Sequence, residues 1–217
     1  MKELKYFISG ILAGFIIGLG GLCFILTKTY LIASGQVVGA LIFPIGLFLI
    51  CVMGLDLYTG KIGFVFKDKT ITISRLLLML TGNLVGSVLM GTISYLIFKD
   101  NTAVMNVIKT LVEAKSDIGG INVLVFSIKS ILCGMMVFLA VHLYKKASSD
   151  FMKFISVLIP IFIFVLCGFE HCIADAFYFS FNLSFNINTL ILMIFSIVFN
   201  SVGSLILYGI TYFLEKE

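Results

Sequence analysis

Gly168-Phe169-Glu170-His171-Cys172-Ile173-Ala174-Asp175 lies between two apolar runs, FISVLIPIFIFVLC before it and AFYFSF after it. An ionisable pair in the middle of a segment long enough to cross a bilayer is costly. Such groups usually face a protein interior or a water-filled path. Opening on a glycine, Glu170 and His171 predict a helix that breaks at mid-membrane, because unwound backbone is tolerated at that depth only where it lines a cavity or is buried in protein. The plainer reading is a histidine satisfied inside a tight bundle by its neighbouring carboxylate. A second break of the same kind earlier in the chain favours a transport site.

The surrounding composition sets the class. Of 217 residues, 60% are apolar and 12% charged, with a mean hydropathy of +1.17. About a quarter of the residues of an ordinary soluble domain are charged, so the chain reads as an all-α membrane protein. A span needs about 20 apolar residues. Segments 6–27, 37–56, 71–98, 119–144, 151–181 and 189–214 each qualify, which predicts six transmembrane helices in a single domain, residues 1–217. The first apolar run exceeds the h-region of a signal peptide and is taken as a span. Lys2, Lys5, Lys61, Lys67, Lys69, Arg75, Lys145, Lys146, Lys153 and Lys216 fall on one side. Lys28, Lys99, Lys109 and Lys115 fall on the other, the last three diluted by Asp100, Glu113 and Asp117. The positive-inside rule therefore places both termini in the cytoplasm. The net charge of +4 is topological and implies no nucleic-acid partner. The five cysteines lie in apolar spans without metal spacing and read as small buried packing residues, so no metal or cofactor is expected.

The first half of the chain matches the second. SGILAGFI in the first span aligns with KSILCGMM in the fourth, pairing Ser9, Ile11, Leu12 and Gly14 with Lys129, Ile131, Leu132 and Gly134. Gly54-Leu55-Asp56 in the second parallels Gly168-Phe169-Glu170 in the fifth. In the third and sixth, Asn83, Val85, Gly86, Ser87 and Tyr95 parallel Asn200, Val202, Gly203, Ser204 and Tyr212. Three helices per repeat is an odd number, so the halves, about 1–98 and 119–214, must be oppositely oriented. This is an inverted 3+3 repeat with broken helices two and five and a site where the halves meet. Asp56 and Glu170 stand at the breaks, where carboxylates can accept from freed N–H groups. With Asn83 and Asn200 they are expected to support the breaks.

AGFIIGLGG, GLDLYTG, GNLVGS and GFEHCIADAFYF, taken in order over nearly the whole chain, resemble the motifs of the formate/nitrite transporter family. The resemblance implies an aquaporin-like fold, a homopentamer with a pore in each protomer, and small monovalent anions such as formate, nitrite or hydrosulfide as substrate. It implies a bacterial or archaeal cell membrane as the location. By the same resemblance His171 is the central pore histidine and Thr59 the loop threonine. Leu47, Leu57 and Tyr58 fall at the cytoplasmic constriction, and Phe43 and Phe164 at the outer one. Tyr58 stands where many members have Phe, which puts a hydroxyl into an apolar gate. Gly134 stands where others have an Asn near the histidine, removing one partner for it. Lys115 and Lys129 both compete for the lysine that faces the vestibule.

An apolar slit blocks a bare anion, because desolvating a charge is heavily penalised. The same penalty favours the protonated form of a weak acid. A histidine with an ordinary pKa of about 6.5 can donate a proton or hydrogen-bond the anion. Two rivals follow from the residues. An aquaporin-like channel for neutral solutes has no need of Lys129 or the Glu-His pair. An intramembrane enzyme built on His171 with Glu170 or Asp175 lacks a nucleophile elbow, paired metal ligands or an HExxH motif.

Overall fold

The computed structural model describes residues 2–116 and 119–216. Asp117 and the Lys2 side chain, both used in the charge count, lie outside the described positions. Among the described residues there are ten helices and no strand: α1 Lys2–Tyr30, α2 Gly35–Ile42, α3 Pro44–Met53, α4 Tyr58–Ile62, α5 Ile73–Phe98, α6 Thr102–Lys115, α7 Ile121–Lys146, α8 Asp150–Leu166, α9 Cys172–Phe181 and α10 Ile187–Leu214. Five stretches among them are long and apolar enough to cross a membrane: α1, α2 with α3, α5, α7 and α10. The fifth segment expected from hydropathy is carried instead by two shorter helices, α8 and α9.

Hydropathy alone does not anticipate two features. The run from Gly35 to Met53 is divided at Phe43, because Pro44 opens α3 at its first turn, where its missing N–H costs nothing. The stretch after α5 folds into α6, with the Asn101 side chain accepting from the Val104 N–H at its start. Val104, Ile108 and Val112 form its buried face, at the spacing of one stripe of a helix.

Two long helix pairs hold the protein together. In α1 against α5, a Cβ on Gly14 would run into the carbonyl of Asn83, and one on Gly86 into the carbonyl of Ile11. In α7 against α10, Gly134 meets the Asn200 carbonyl and Gly203 the Ile131 carbonyl in the same manner. These are backbone-to-backbone contacts, which small residues permit in lipid, where apolar side chains gain little by meeting one another. The opposite faces expose large aliphatics such as Ile8, Leu96, Leu124 and Ile194, as expected where the solvent is hydrocarbon. Cys133 and Cys172 are buried, whereas Cys23 and Cys167 are exposed on the protomer surface. The expectation of five buried cysteines is corrected accordingly, since an apolar span buries only the face turned to its neighbours.

Helices α3 and α8 end alike. The N–H of Leu55 reaches the Ile50 carbonyl (2.9 Å) and that of Gly54 the Cys51 carbonyl (3.3 Å). The N–H of Phe169 reaches Phe164 (2.9 Å) and that of Gly168 reaches Val165 (3.1 Å). Gly54 at φ 66° and Gly168 at φ 65° supply the left-handed residue this C-cap requires. After each cap the chain runs on to a short helix, α4 or α9, pointing into the protein. Every residue of α9 is buried.

Candidate substrate pathway

The asparagines organise the two breaks. Asn83 Oδ1 accepts from the Tyr58 N–H (2.8 Å), and its Nδ2 donates to the carbonyls of Gly10 and Asp56 (both 2.9 Å). Asn200 Oδ1 accepts from the Cys172 N–H (2.9 Å), and its Nδ2 donates to the carbonyls of Ser130 and Glu170 (both 2.8 Å). Each fully buried amide thereby satisfies one N–H and one carbonyl that a break would leave orphaned, and ties them to a carbonyl inside α1 or α7. Asp56 and Glu170 do not take the freed N–H groups, contrary to the expectation from sequence. The Asp56 carboxylate lies 3.5 Å from Lys61 Nζ, and the Glu170 carboxylate pairs with Lys115. An uncharged amide both donates and accepts at no cost in buried charge, which is why the caps fall to asparagine.

His171 is the N-cap of α9, and its Nδ1 accepts from the Ala174 N–H (3.3 Å). In the neutral ring the proton then sits on Nε2. Nε2 lies 2.9 Å from Thr59 Oγ1 on α4, so the ring donates to the hydroxyl. Both residues are buried, Thr59 completely. Gly134 is not a vacant place beside the histidine. It packs on the Asn200 backbone, so the partner thought missing there would not fit.

A cavity of about 490 Å³ opens over this site, and Phe43, Phe164, His171, Lys28, Lys115 and Lys129 are among its lining residues. The Phe43 and Phe164 rings meet edge to face at 5.8 Å, and Phe164 lies 5.9 Å from the His171 ring. Lys115 and Lys129 therefore share one chamber. They differ in company: Lys115 touches Glu170 and lies 3.0 Å from Asp175, while Lys129 has no carboxylate within ion-pair distance among the described residues. A second cavity, of about 160 Å³, is lined by Leu47, Leu57, Gly60, Lys61, Val141 and Lys145, among others. Thr59 sits between Leu57 and Gly60 in sequence, so its bond to His171 ties the wall of one cavity to the helix that borders the other.

Tyr58 is held through its hydroxyl as well as its backbone. Its hydroxyl lies 2.8 Å from Ser201 Oγ, which itself donates to the Ile197 carbonyl (2.7 Å). Tyr58 therefore donates to Ser201 on α10, because a buried phenol takes the nearest acceptor. Sequence reasoning gave Asp175 no place in the pathway, considering it only as an enzymic acid or base. Its signal was an ionisable group one helical turn beyond His171 in an otherwise apolar run.

The family model described as formate/nitrite transporter matches residues 1–214. The chain belongs to the formate/nitrite transporter family. That membership places it among transporters and not among enzymes. Among curated relatives, the formate channel FocA of Haemophilus influenzae is 28% identical over 184 residues, covering 79% of this chain and 64% of that protein. FocA of Escherichia coli K12 is 31% identical over 188 residues (80% and 65%), and FocB of the same organism 30% over 155 residues (67% and 54%). The chain thus spans less than two thirds of the length of these relatives. Among solved structures, one described as a pentameric formate channel with formate bound superposes with a TM-score of 0.83 at 20% identity, covering 99% of this chain and 98% of that one. An FNT family ion channel superposes at 0.80 and 22% identity (98% and 90%). These likenesses establish an all-helical fold shared with formate/nitrite transporter channels in a membrane protein.

Proposed function

We propose that this protein is a channel for small monovalent weak-acid anions (formate, nitrite or hydrosulfide), built as a homopentamer with one pore per protomer. The observation that carries this is the Thr59–His171 hydrogen bond, placed between a lysine-bearing chamber and a second, smaller cavity. The matching asparagine caps and glycine contacts support a six-span inverted 3+3 repeat of aquaporin-like plan, broken in its second and fifth spans, forming one domain. The lysine distribution supports cytoplasmic termini in a bacterial or archaeal cell membrane.

In this reading Lys28 and Lys129 draw the anion into the larger chamber, while Lys115 stands in its wall paired with Glu170 and Asp175. Phe43 and Phe164 form the outer apolar constriction, and Leu47 and Leu57 the inner one, with Tyr58 bracing the latter from behind. The anion loses water on entering a slit and is favoured there as the neutral acid. The Nε2–H of His171 is given to the Thr59 oxygen, which leaves the Thr59 hydroxyl proton available to a passing oxygen or sulfur.

Proteoliposome uptake of formate, nitrite, hydrosulfide and lactate, compared over external pH, tests the proposal. Saturable, pH-dependent flux of the small anions is expected. Flux of water or urea without anion flux would overturn it in favour of a neutral-solute channel.

A further inference from the structure

Asp175 changes the charge balance of the chamber. Its Oδ1 lies 3.0 Å from Lys115 Nζ and its Oδ2 accepts from Ser196 Oγ (3.2 Å), while Glu170 contacts the same ammonium. Asp175 is 1% exposed and Glu170 3%, so neither charge is relieved by bulk water. One ammonium faces two carboxylates. With all three ionised the triad carries one uncompensated negative charge, and buried charge without a partner is strongly disfavoured. When two carboxylates share a site, one of them readily takes a proton.

We infer that the Lys115–Glu170–Asp175 triad binds one exchangeable proton, and that Asp175 thereby couples anion entry to proton entry. This rests on the anion-channel reading. All three residues line the chamber that also holds His171, so the proton can exchange with its water. Uptake places one proton from water on a carboxylate oxygen, and the triad goes from net −1 to neutral. An anion entering the same chamber favours the protonated triad, and by reciprocity the protonated triad favours the anion.

Among the described residues no cation but Lys115 lies within ion-pair distance of Asp175 or Glu170. Helix α9 contributes Cys172 and Tyr178, whose ring lies 5.7 Å from Lys115 Nζ. Helix α7 contributes Cys133, in electrostatic range of Asp175, and Lys129 in the chamber wall. Helix α10 contributes Ser196, α5 presents Ser87 and Gly91 to α9, and α1 brings Lys28 to the chamber. The cations beyond Lys115 are left for the anion.

The test is proton release or uptake on adding sodium formate, near neutral pH, to the purified protein in lightly buffered detergent with an indicator dye, alongside proteoliposome flux. Wild type is expected to take up a fraction of a proton, at most one, per bound formate, and Asp175→Asn, which keeps size and an acceptor for Lys115, less than half as much. Glu170→Gln, which removes the other carboxylate, is expected to lower uptake similarly and guards against a folding defect peculiar to position 175. Formate flux in wild type with no proton uptake, or with uptake unchanged in both variants, overturns this inference and leaves the channel reading intact. A wild type that passes no formate, nitrite or hydrosulfide overturns both.

Discussion

Thr59 and His171, 112 positions apart in the chain, share a 2.9 Å hydrogen bond in which the imidazole Nε2–H donates to the threonine oxygen. The ring cannot turn without losing both this bond and the one from the Ala174 N–H. Replacing His171 with Asn keeps polarity and similar reach but removes titration near neutral pH. Flux measured across pH in His171→Asn proteoliposomes is expected to lose or alter its pH dependence while the protein stays oligomeric. An unaltered profile would make the residue structural and leave protonation to the Asp175 triad or to bulk water.

Thr59→Val is nearly isosteric and strips the acceptor from a buried donor. Leaving such a group unpaired costs about 1–3 kcal/mol, so a lowered melting temperature in detergent is expected together with reduced flux. If stability does not change, the ring has found another acceptor, and the bond is incidental.

In the proposed pathway Leu57 lines the inner constriction and Tyr58 braces it. Leu57→Ala should widen the slit and raise chloride permeability relative to formate. Tyr58→Phe should cost about 0.5–1.5 kcal/mol for the lost Ser201 bond and leave that ratio as it is. The reverse pattern in anion-replacement currents would put Tyr58, not Leu57, at the gate.

Asn83→Ala and Asn200→Ala each orphan one buried N–H and one carbonyl at a break. Both should destabilise the protein by at least about 2 kcal/mol, with Asn200→Ala also disturbing His171 through the Cys172 and Glu170 backbone. Thermal melts that match wild type would show that water replaces the amide at no cost.

Glycine-lined helix pairs leave the outward faces apolar, and those faces must meet lipid or neighbouring copies. Native mass measurement in mild detergent is expected to give an oligomer, five copies by likeness to the pentameric formate channel. Only monomers under those conditions would sink the assembly proposal.

The sequence by itself determined that this is a helical membrane protein of the formate/nitrite transporter family. Hydropathy and charge are properties of whole segments, and the glycines of α1, α5, α7 and α10 are visible as spacings because a helix turns them to one face. The caps at Gly54 and Gly168 were legible for the same reason, since a glycine before a carboxylate in an apolar run has few other uses. Tertiary structure decided which side chains meet. Asn83 and Asn200, not Asp56 and Glu170, take the freed N–H groups. The Tyr58 hydroxyl pairs with Ser201, and Asp175 joins Glu170 on Lys115 from another helix. Each of these is a choice among partners far apart in the chain, settled by distance and by the cost of burying an unpaired polar group. Neither quantity exists until the helices are packed.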